Sequence, residues 1–288
     1  LSPEDQSRFI TNALCWPIAY EVCDMTWQAT TEDKWLCAHI LKSSGIRVPE
    51  TLAVIDRSGR NYLGTRKIST TDDFKSFLKD QRGQPVFAKV NRGICAYGAL
   101  LIDEVEDDRL RLRGQDWIDF QTCFDDLIGE TPYILQPVER NHAFFDDLTD
   151  NLATVRVCIL QENGKVSIPF CVLKLPGGEN FVDSFWRQDN MACAVNPETG
   201  VIETARTKNA VSTVDHDVHP ETGAALVGQT LPMWPALLDL VHTCSPIFSP
   251  VPYQSMDIAL TASGPVLIEI NTSGGFDLPQ LATGQGAV

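Results

Sequence analysis

Several familiar signatures are missing from this sequence. None of its nine cysteines forms a C-x-x-C pair, and their separations run from 8 to 58 residues. That spacing fits neither a zinc knuckle nor a disulfide framework. The expectation is therefore small buried thiols in a reducing compartment, the cytoplasm. No G-x-S-x-G elbow supports serine hydrolase chemistry, and no cysteine has a histidine in a recognisable nucleophile–base arrangement. Neither G-x-G-x-x-G nor a P-loop occurs. No apolar run approaches the ~20 residues a membrane helix needs, so membrane insertion is not expected. No signal pattern stands at the N-terminus, although a chain starting at Leu1 leaves a trimmed leader open. Basic residues are scarce: 23 Lys and Arg against 38 Asp and Glu leave a net charge of −15. That balance argues against nucleic acid or an anionic membrane surface as the main partner, while a local basic pocket stays possible.

What is present is enough for a large core. The chain has 288 residues, 43% of them hydrophobic, which suits two ordinary domains or one composite one. Glu32–Ser44 reads as a helix with Leu36, Ile40 and Leu41 on one stripe and Gly45 as its stop. Arg47–Ile55 reads as a strand, Asp72–Asp80 as a short helix carrying Phe74, Phe77 and Leu78, and Pro85–Lys89, Ala99–Ile102 and Tyr133–Val138 as strands. Leu152–Gln161 alternates, with Ala153, Val155, Val157 and Ile159 on one face. Pro232–His242 is spaced as a helix, and Met256–Leu260 with Pro265–Asn271 reads as a hairpin. Strands and helices mix without regular βαβ alternation, so the expected class is α+β.

The hairpin is the most informative segment. Glu269 and Asn271 share one face of its second strand, and Asp257 lies opposite the apolar face of the first. A three-residue loop, Ser263-Gly264-Pro265, would pair Asp257 with Asn271 and align all three oxygens, and the proline favours that register. Two carboxylates and an amide oxygen suit Mg²⁺, but pattern alone favours a solvated surface hairpin. Lys89 ends an apolar strand before a loop punctuated by Gly93 and Gly98, which could fold amides over phosphates or form an ordinary hairpin. Arg156 interrupts an apolar-and-Thr strand, where it could hold a phosphate or carboxylate bidentately or simply meet water; Lys174 has the same two readings. His216 and His219 offer H-x-x-H, but the turn-rich Pro220-Glu221-Thr222-Gly223 makes a polar loop the better reading than zinc.

In chain order these segments resemble an ATP-grasp protein. The resemblance rests on Asp33-Lys34 with Ser44-Gly45-Ile46-Arg47-Val48-Pro49, on Val86-Phe87-Ala88-Lys89 with Gly93 and Gly98, and on Tyr133–Glu139. It rests most of all on Asp257-Ile258-Ala259-Leu260-Thr261 with Gly264–Asn271. Asn151–Val157, Val182-Asp183-Ser184 and His219–Gly223 make the chain similar, more narrowly, to the sugar-transfer-associated ATP-grasp family, related to α-L-glutamate ligases. The resemblance implies an α+β, ATP-grasp fold in which two subdomains clamp ATP. It implies a helical segment at 1–30, a small lid subdomain within 31–137 and a second subdomain at 138–288. Lys34, Lys89, Gly93 and Gly98 would then face phosphates, and Gln136, Val138 and Glu139 would form the adenine hinge. Asp257, Glu269 and Asn271 would hold Mg²⁺, and Arg156 and Lys174 would serve catalysis, with Asp183 a weaker candidate for substrate contact. The implied reaction is biosynthetic: a small-molecule carboxylate is phosphorylated by ATP and captured by an amine, with phosphorylation of a hydroxyl or mere nucleotide binding as alternatives. A homodimer is the oligomeric form to test.

Overall fold

The computed structural model describes residues 3–209, 212–272 and 274–287. Leu1, Ser2 and Val288, at the outer limits of the expected segments, lie outside these residues. The chain forms two compact units, one from Glu32–Ile40 and Val48–Glu139, the other from Leu1–Thr31, Leu41–Arg47 and Arg140–Val288.

In the unit containing Val48–Glu139, seven strands are introduced in chain order: β1 (Ala53–Ile55), β2 (Arg66–Ile68), β3 (Val86–Val90), β4 (Leu100–Val105), β5 (Arg109–Leu112), β6 (Trp117–Asp119) and β7 (Tyr133–Pro137). They form one sheet in the order β2-β1-β7-β3-β4-β5-β6. Every pair is antiparallel except β1 with β2. The helix Thr71–Asp80 buries Phe74, Phe77 and Leu78, the face its spacing predicts, in a core shared with Ile55, Ile102 and Phe124. Its start is fixed reciprocally: the Thr70 hydroxyl accepts from the Asp73 amide at 3.1 Å and donates to the Asp73 carboxylate at 2.8 Å. Only Ala53–Ile55 of the expected strand Arg47–Ile55 joins a ladder. Arg47 is used elsewhere, its carbonyl accepting from the Leu267 amide and its guanidinium bonding the Ser263 carbonyl at 2.8 Å.

The other unit carries β8 (Thr154–Glu162), β9 (Lys165–Leu175), β10 (Met191–Val195), β11 (Ile202–Lys208), β12 (Thr213–Asp215), β13 (Tyr253–Thr261) and β14 (Gly264–Thr272). These form an antiparallel sheet in the order β12-β11-β10-β9-β8-β13-β14. β13 is buried along its whole length, so its polar residues sit in the interior rather than in water. The helix Trp234–Cys244 buries Trp234, Leu237 and Val241, as its spacing predicts. An N-terminal helix, Asn12–Val22, is seated through Cys15 and Ala19 beside Val251 and Tyr253.

The hairpin forms, but not in the expected register. Thr261 pairs with Gly264, so the loop has two residues, Ala262 and Ser263, instead of three. Gly264 sits at φ +120°, a conformation that an L side chain rarely adopts. Farther along, Ile258 pairs with Leu267 while Asp257 pairs with Glu269, which makes Ile268 the extra residue of a β-bulge. The bulge puts Leu267 and Glu269 on opposite faces, where uninterrupted alternation would put them on one. Asp257 therefore lies beside Glu269, with Asn271 on the same face opposite Ser255.

Candidate active site

The second sheet assembles a charged row around one buried carboxylate. Glu269 on β14 is opposite Asp257 on β13, and Asp257 is opposite Arg156 on β8. Directly opposed residues of an antiparallel ladder point to one side, so all three share a face. Arg156 donates from Nε to Asp257 Oδ1 at 2.8 Å and from its terminal nitrogen to Oδ2 at 2.7 Å, a bidentate pair. Lys174 on β9 is opposite Thr154, two residues before Arg156 and so on the same face. Its Nζ lies 3.1 Å from Asp257 Oδ2 and 3.0 Å from Asp183 Oδ2. The Thr154 hydroxyl closes the chain by donating to Asp183.

The cluster is dry enough for charge to matter. Asp257 and Lys174 are buried, with 4% and 5% of their surface exposed. Burial alone would raise the Asp257 carboxyl, but the charges and hydrogen bonds of Arg156 and Lys174 outweigh it and hold the group well below the usual carboxylate range. Burial pulls Arg156 down, and the Asp257 charge with its hydrogen bonds more than restores it, so the guanidinium stays charged. The solvated-face reading of Arg156 and Lys174 is thus replaced by a buried ion-pair network.

The donor set fits a hard divalent cation. Asp257, Glu269 and Asn271 supply two carboxylates and an amide on one face. The Asn271 Nδ2 and the opposing Ser255 Oγ are buried with no hydrogen-bond partner among the described residues. An amide whose two ends are interchangeable in assignment is thus left with unused hydrogen-bonding capacity beside the two carboxylates. The H-x-x-H segment offers no comparable centre. His216 Nε2 bonds the Thr207 hydroxyl at 2.8 Å, and His219 Nδ1 faces the Glu221 and Thr222 amides. Among the described residues, no group of three or more His, Cys, Asp or Glu side chains is placed to hold a metal.

The other predicted residues lie in the first sheet's unit. Lys34 donates from Nζ to the Gly93 carbonyl at 2.7 Å, which ties the helix start to the glycine loop. Lys89 is half-buried on β3 opposite Ile134 of β7. A Cβ on Gly93 would come 2.8 Å from Val90 Cβ, and one on Gly98, at φ +72°, would come 2.7 Å from the Tyr133 hydroxyl. Gln136 is buried on β7 opposite Phe87, while Val138 and Glu139 follow the strand, Val138 exposed and Glu139 half-buried. Two contributors had no sequence signal of their own. Thr154 is an uncharged neighbour of Arg156 on its face. Asn91 is buried, accepting the Trp35 amide with its side chain and the Lys34 amide with its carbonyl.

Two α+β units, one with a glycine loop held by lysine and one with a carboxylate hairpin, match the class expected from the motifs. The chain belongs to the sugar-transfer-associated ATP-grasp family, whose sequence model matches residues 24–288. Among solved structures it is similar to an N5-carboxyaminoimidazole ribonucleotide synthetase in complex with ADP, at 8% identity and a TM-score of 0.49, covering 85% of this chain and 45% of that one. It is also similar to the D-alanine–D-alanine ligase of Bacillus anthracis complexed with ATP, at 14% identity and a TM-score of 0.46, covering 91% and 63%. For the L-amino acid ligase of Bacillus licheniformis the values are 10%, 0.42, 88% and 42%. The chain thus spans between 42% and 63% of the length of these proteins. No curated protein matches the sequence. Among the described residues no helix is long and apolar enough to cross a membrane.

Proposed function

We propose that the protein is an ATP-dependent carboxylate–amine ligase acting on an amino acid, peptide or sugar acid. The observation that carries this reading is the row Glu269–Asp257–Arg156, with Asp257 at its centre and Lys174 beside it both buried, in a chain of the ATP-grasp family. In the proposed reaction the substrate carboxylate attacks the γ-phosphorus of ATP, ADP leaves, and the amine displaces phosphate from the acyl-phosphate. Such chemistry asks the protein for positioning and charge neutralisation rather than a covalent role. Lys34 and Lys89 would hold phosphates as point charges, and the amides of the loop from Gly93 to Gly98 would cover them. Gln136, Val138 and Glu139 would meet adenine. Arg156, whose Nε and one terminal nitrogen hold Asp257, would meet the transferring phosphoryl group or the carboxylate with its remaining terminal nitrogen, and Lys174 would neutralise charge developing there. Asp257, Glu269 and Asn271 would hold Mg²⁺, which, when bound, would neutralise phosphate charge. The burial of eight of the nine cysteines supports their reading as small buried thiols in a reducing location, the cytoplasm.

The test is a panel of carboxylates and amines with ATP and Mg²⁺, read by ADP release and product mass. Amine-dependent release of ADP and phosphate is expected, with a new amide. A phosphorylated hydroxyl product, or nucleotide binding without turnover, would overturn the ligase reading. Glu269→Gln removes one charge at nearly constant shape and should cut turnover by about a hundredfold or more while leaving the melting temperature nearly unchanged.

A further inference from the structure

We propose that the amine taken by the proposed ligation is a diamine or polyamine, and that a cavity where β8 begins and β9 ends holds its second, cationic nitrogen. This rests on the ligase reading and adds the class of the amine. The cavity, of about 510 Å³, lies wholly within the unit of the second sheet and is large enough for a small ligand. Three segments wall it: residues 146–151 ahead of β8, 176–178 directly after β9, and 221–224. Thr154 is opposite Lys174, Asn151 stands three residues before Thr154, and Pro176 two after Lys174. An extended chain spans at most about 3.6 Å per residue, so the first two walls come within about 11 Å of Thr154 and Lys174. One buried amide joins wall and charged row. The Asn190 side chain accepts the Gly177 amide at 2.9 Å and donates to the carbonyls of Val182 and Ser184, on either side of Asp183. Asn141 holds the first wall, donating to the Asn151 carbonyl at 2.8 Å, and Glu221 accepts the Gly178 amide at 3.0 Å. The cavity is therefore preformed.

Its chemistry is one-sided. Four carboxylates, Asp146, Asp147, Asp150 and Glu221, line it, and no Lys or Arg does. The three aspartates are exposed and make no salt bridge among the described residues. No three of these carboxylates converge to hold a metal ion, so the negative charge is spread along the walls and suits an extended organic cation. The reaction then narrows the ligand. The amide forms as the nitrogen lone pair attacks the acyl carbon and the C–O bond to phosphate breaks, the phosphate leaving with that electron pair and taking a proton from the nitrogen. An ammonium must first give a proton to water before it can attack, and the neutral amine then has no charge to set against four carboxylates. The lining matches a second nitrogen that stays protonated, as an alkylamine with a pKa of about 10 does at pH 7. An amino acid offered as the amine would bring its own carboxylate against the four, which like charge disfavours.

The experiment titrates putrescine and spermidine into the intact chain by calorimetry, with singly charged n-butylamine as control, and offers the same amines with ATP, Mg²⁺ and the carboxylate panel. The diamine should bind at least about tenfold more tightly than n-butylamine, an advantage that high salt reduces. Asp147→Asn combined with Asp150→Asn, both at exposed positions, should weaken putrescine binding and raise its KM by about tenfold, with the melting temperature nearly unchanged. Equal affinity of wild-type protein for putrescine and n-butylamine would overturn the proposal without any variant having to fold. Undiminished putrescine binding in the folded double variant would overturn it as well. In either case amide formation from n-butylamine would leave the ligase reading standing. Putrescine binding that the double variant loses, with no amide formed from any carboxylate, would instead overturn the ligase reading, and this inference with it.

Discussion

Asp33 shows how one side chain can place another. Its carboxylate accepts the Leu36 amide at 3.1 Å, capping the helix Lys34–Ser43, and it pairs with Arg60. Burial alone would raise its carboxyl, but hydrogen bonds from Arg60, the Leu36 amide and Asn91, together with the Arg60 charge, hold it below the ordinary value. A carboxyl lowered in the folded state contributes stability that is fully present above its unfolded pKa of ~3.9 and is lost as pH falls through the folded value. Asp33→Asn should therefore lower the melting temperature at pH 7, by an equivalent of about 1–3 kcal/mol. The deficit should shrink towards zero in a melting series as pH falls through the folded value; a deficit undiminished in strong acid would show that charge is not its source. Lys89 and Arg156 stand out in the sequence because a charge at the end of or within an apolar strand is conspicuous, whereas Lys34 is singled out only by the family resemblance. Asn91 and Thr154 do not stand out, because a buried uncharged polar residue looks the same in sequence as an exposed one.

Elements were legible where the sequence itself is periodic, whether or not the polar face meets water. The helix Thr71–Asp80 and the strand β8 formed as their periodicity predicts, and the hairpin was found from its alternation. Its register differs from the expected one because Pro265, expected in the loop since it cannot donate to a ladder, stands in the strand opposite Leu260. β14 is the sheet's edge strand, and the amide of Leu267, two residues on, points away from β13 to the Arg47 carbonyl. Pro265 has the same parity, so its missing N–H costs the ladder nothing. The bulge at Ile268 has no sequence mark, yet it decides which residues face Asp257. The glycine loop offers a test of element-level design. Gly98→Ala would add a Cβ 2.7 Å from the Tyr133 hydroxyl at a φ of +72°. We expect a loss of about 1–2 kcal/mol and faster hydrogen exchange from Asn91 to Ala99. In wild-type protein the same amides should slow on adding ATP and Mg²⁺, as a phosphate-covering loop requires; equal protection without nucleotide would count against that role.

For the molecule as a whole, composition correctly promised enough apolar residues for two cores, but it hid most of the second sheet. β10 is buried at every residue and β9 from Cys171 to Leu175, so neither β10 nor that half of β9 shows the two-residue alternation by which a strand is recognised. The cysteines make this burial measurable. Eight are buried and Cys95, in the glycine loop, is exposed. Desolvation pushes the thiols of Cys123, Cys158 and Cys193 up to about 12 and raises Cys171 well above its ordinary value. Since the thiolate is the reactive form, folding protects these groups twice, by access and by ionisation. A chromogenic disulfide reagent at pH 8 should therefore modify one thiol rapidly in native protein and nine in denaturant. Cys95→Ser should remove the fast phase while leaving the other eight to react only on unfolding. If the loop covers phosphates, ATP with Mg²⁺ should slow the Cys95 reaction several-fold without changing the denatured count. Fast labelling of two or more thiols in native protein would contradict the burial of the cores; a Cys95 rate indifferent to nucleotide would detach the loop from the proposed site.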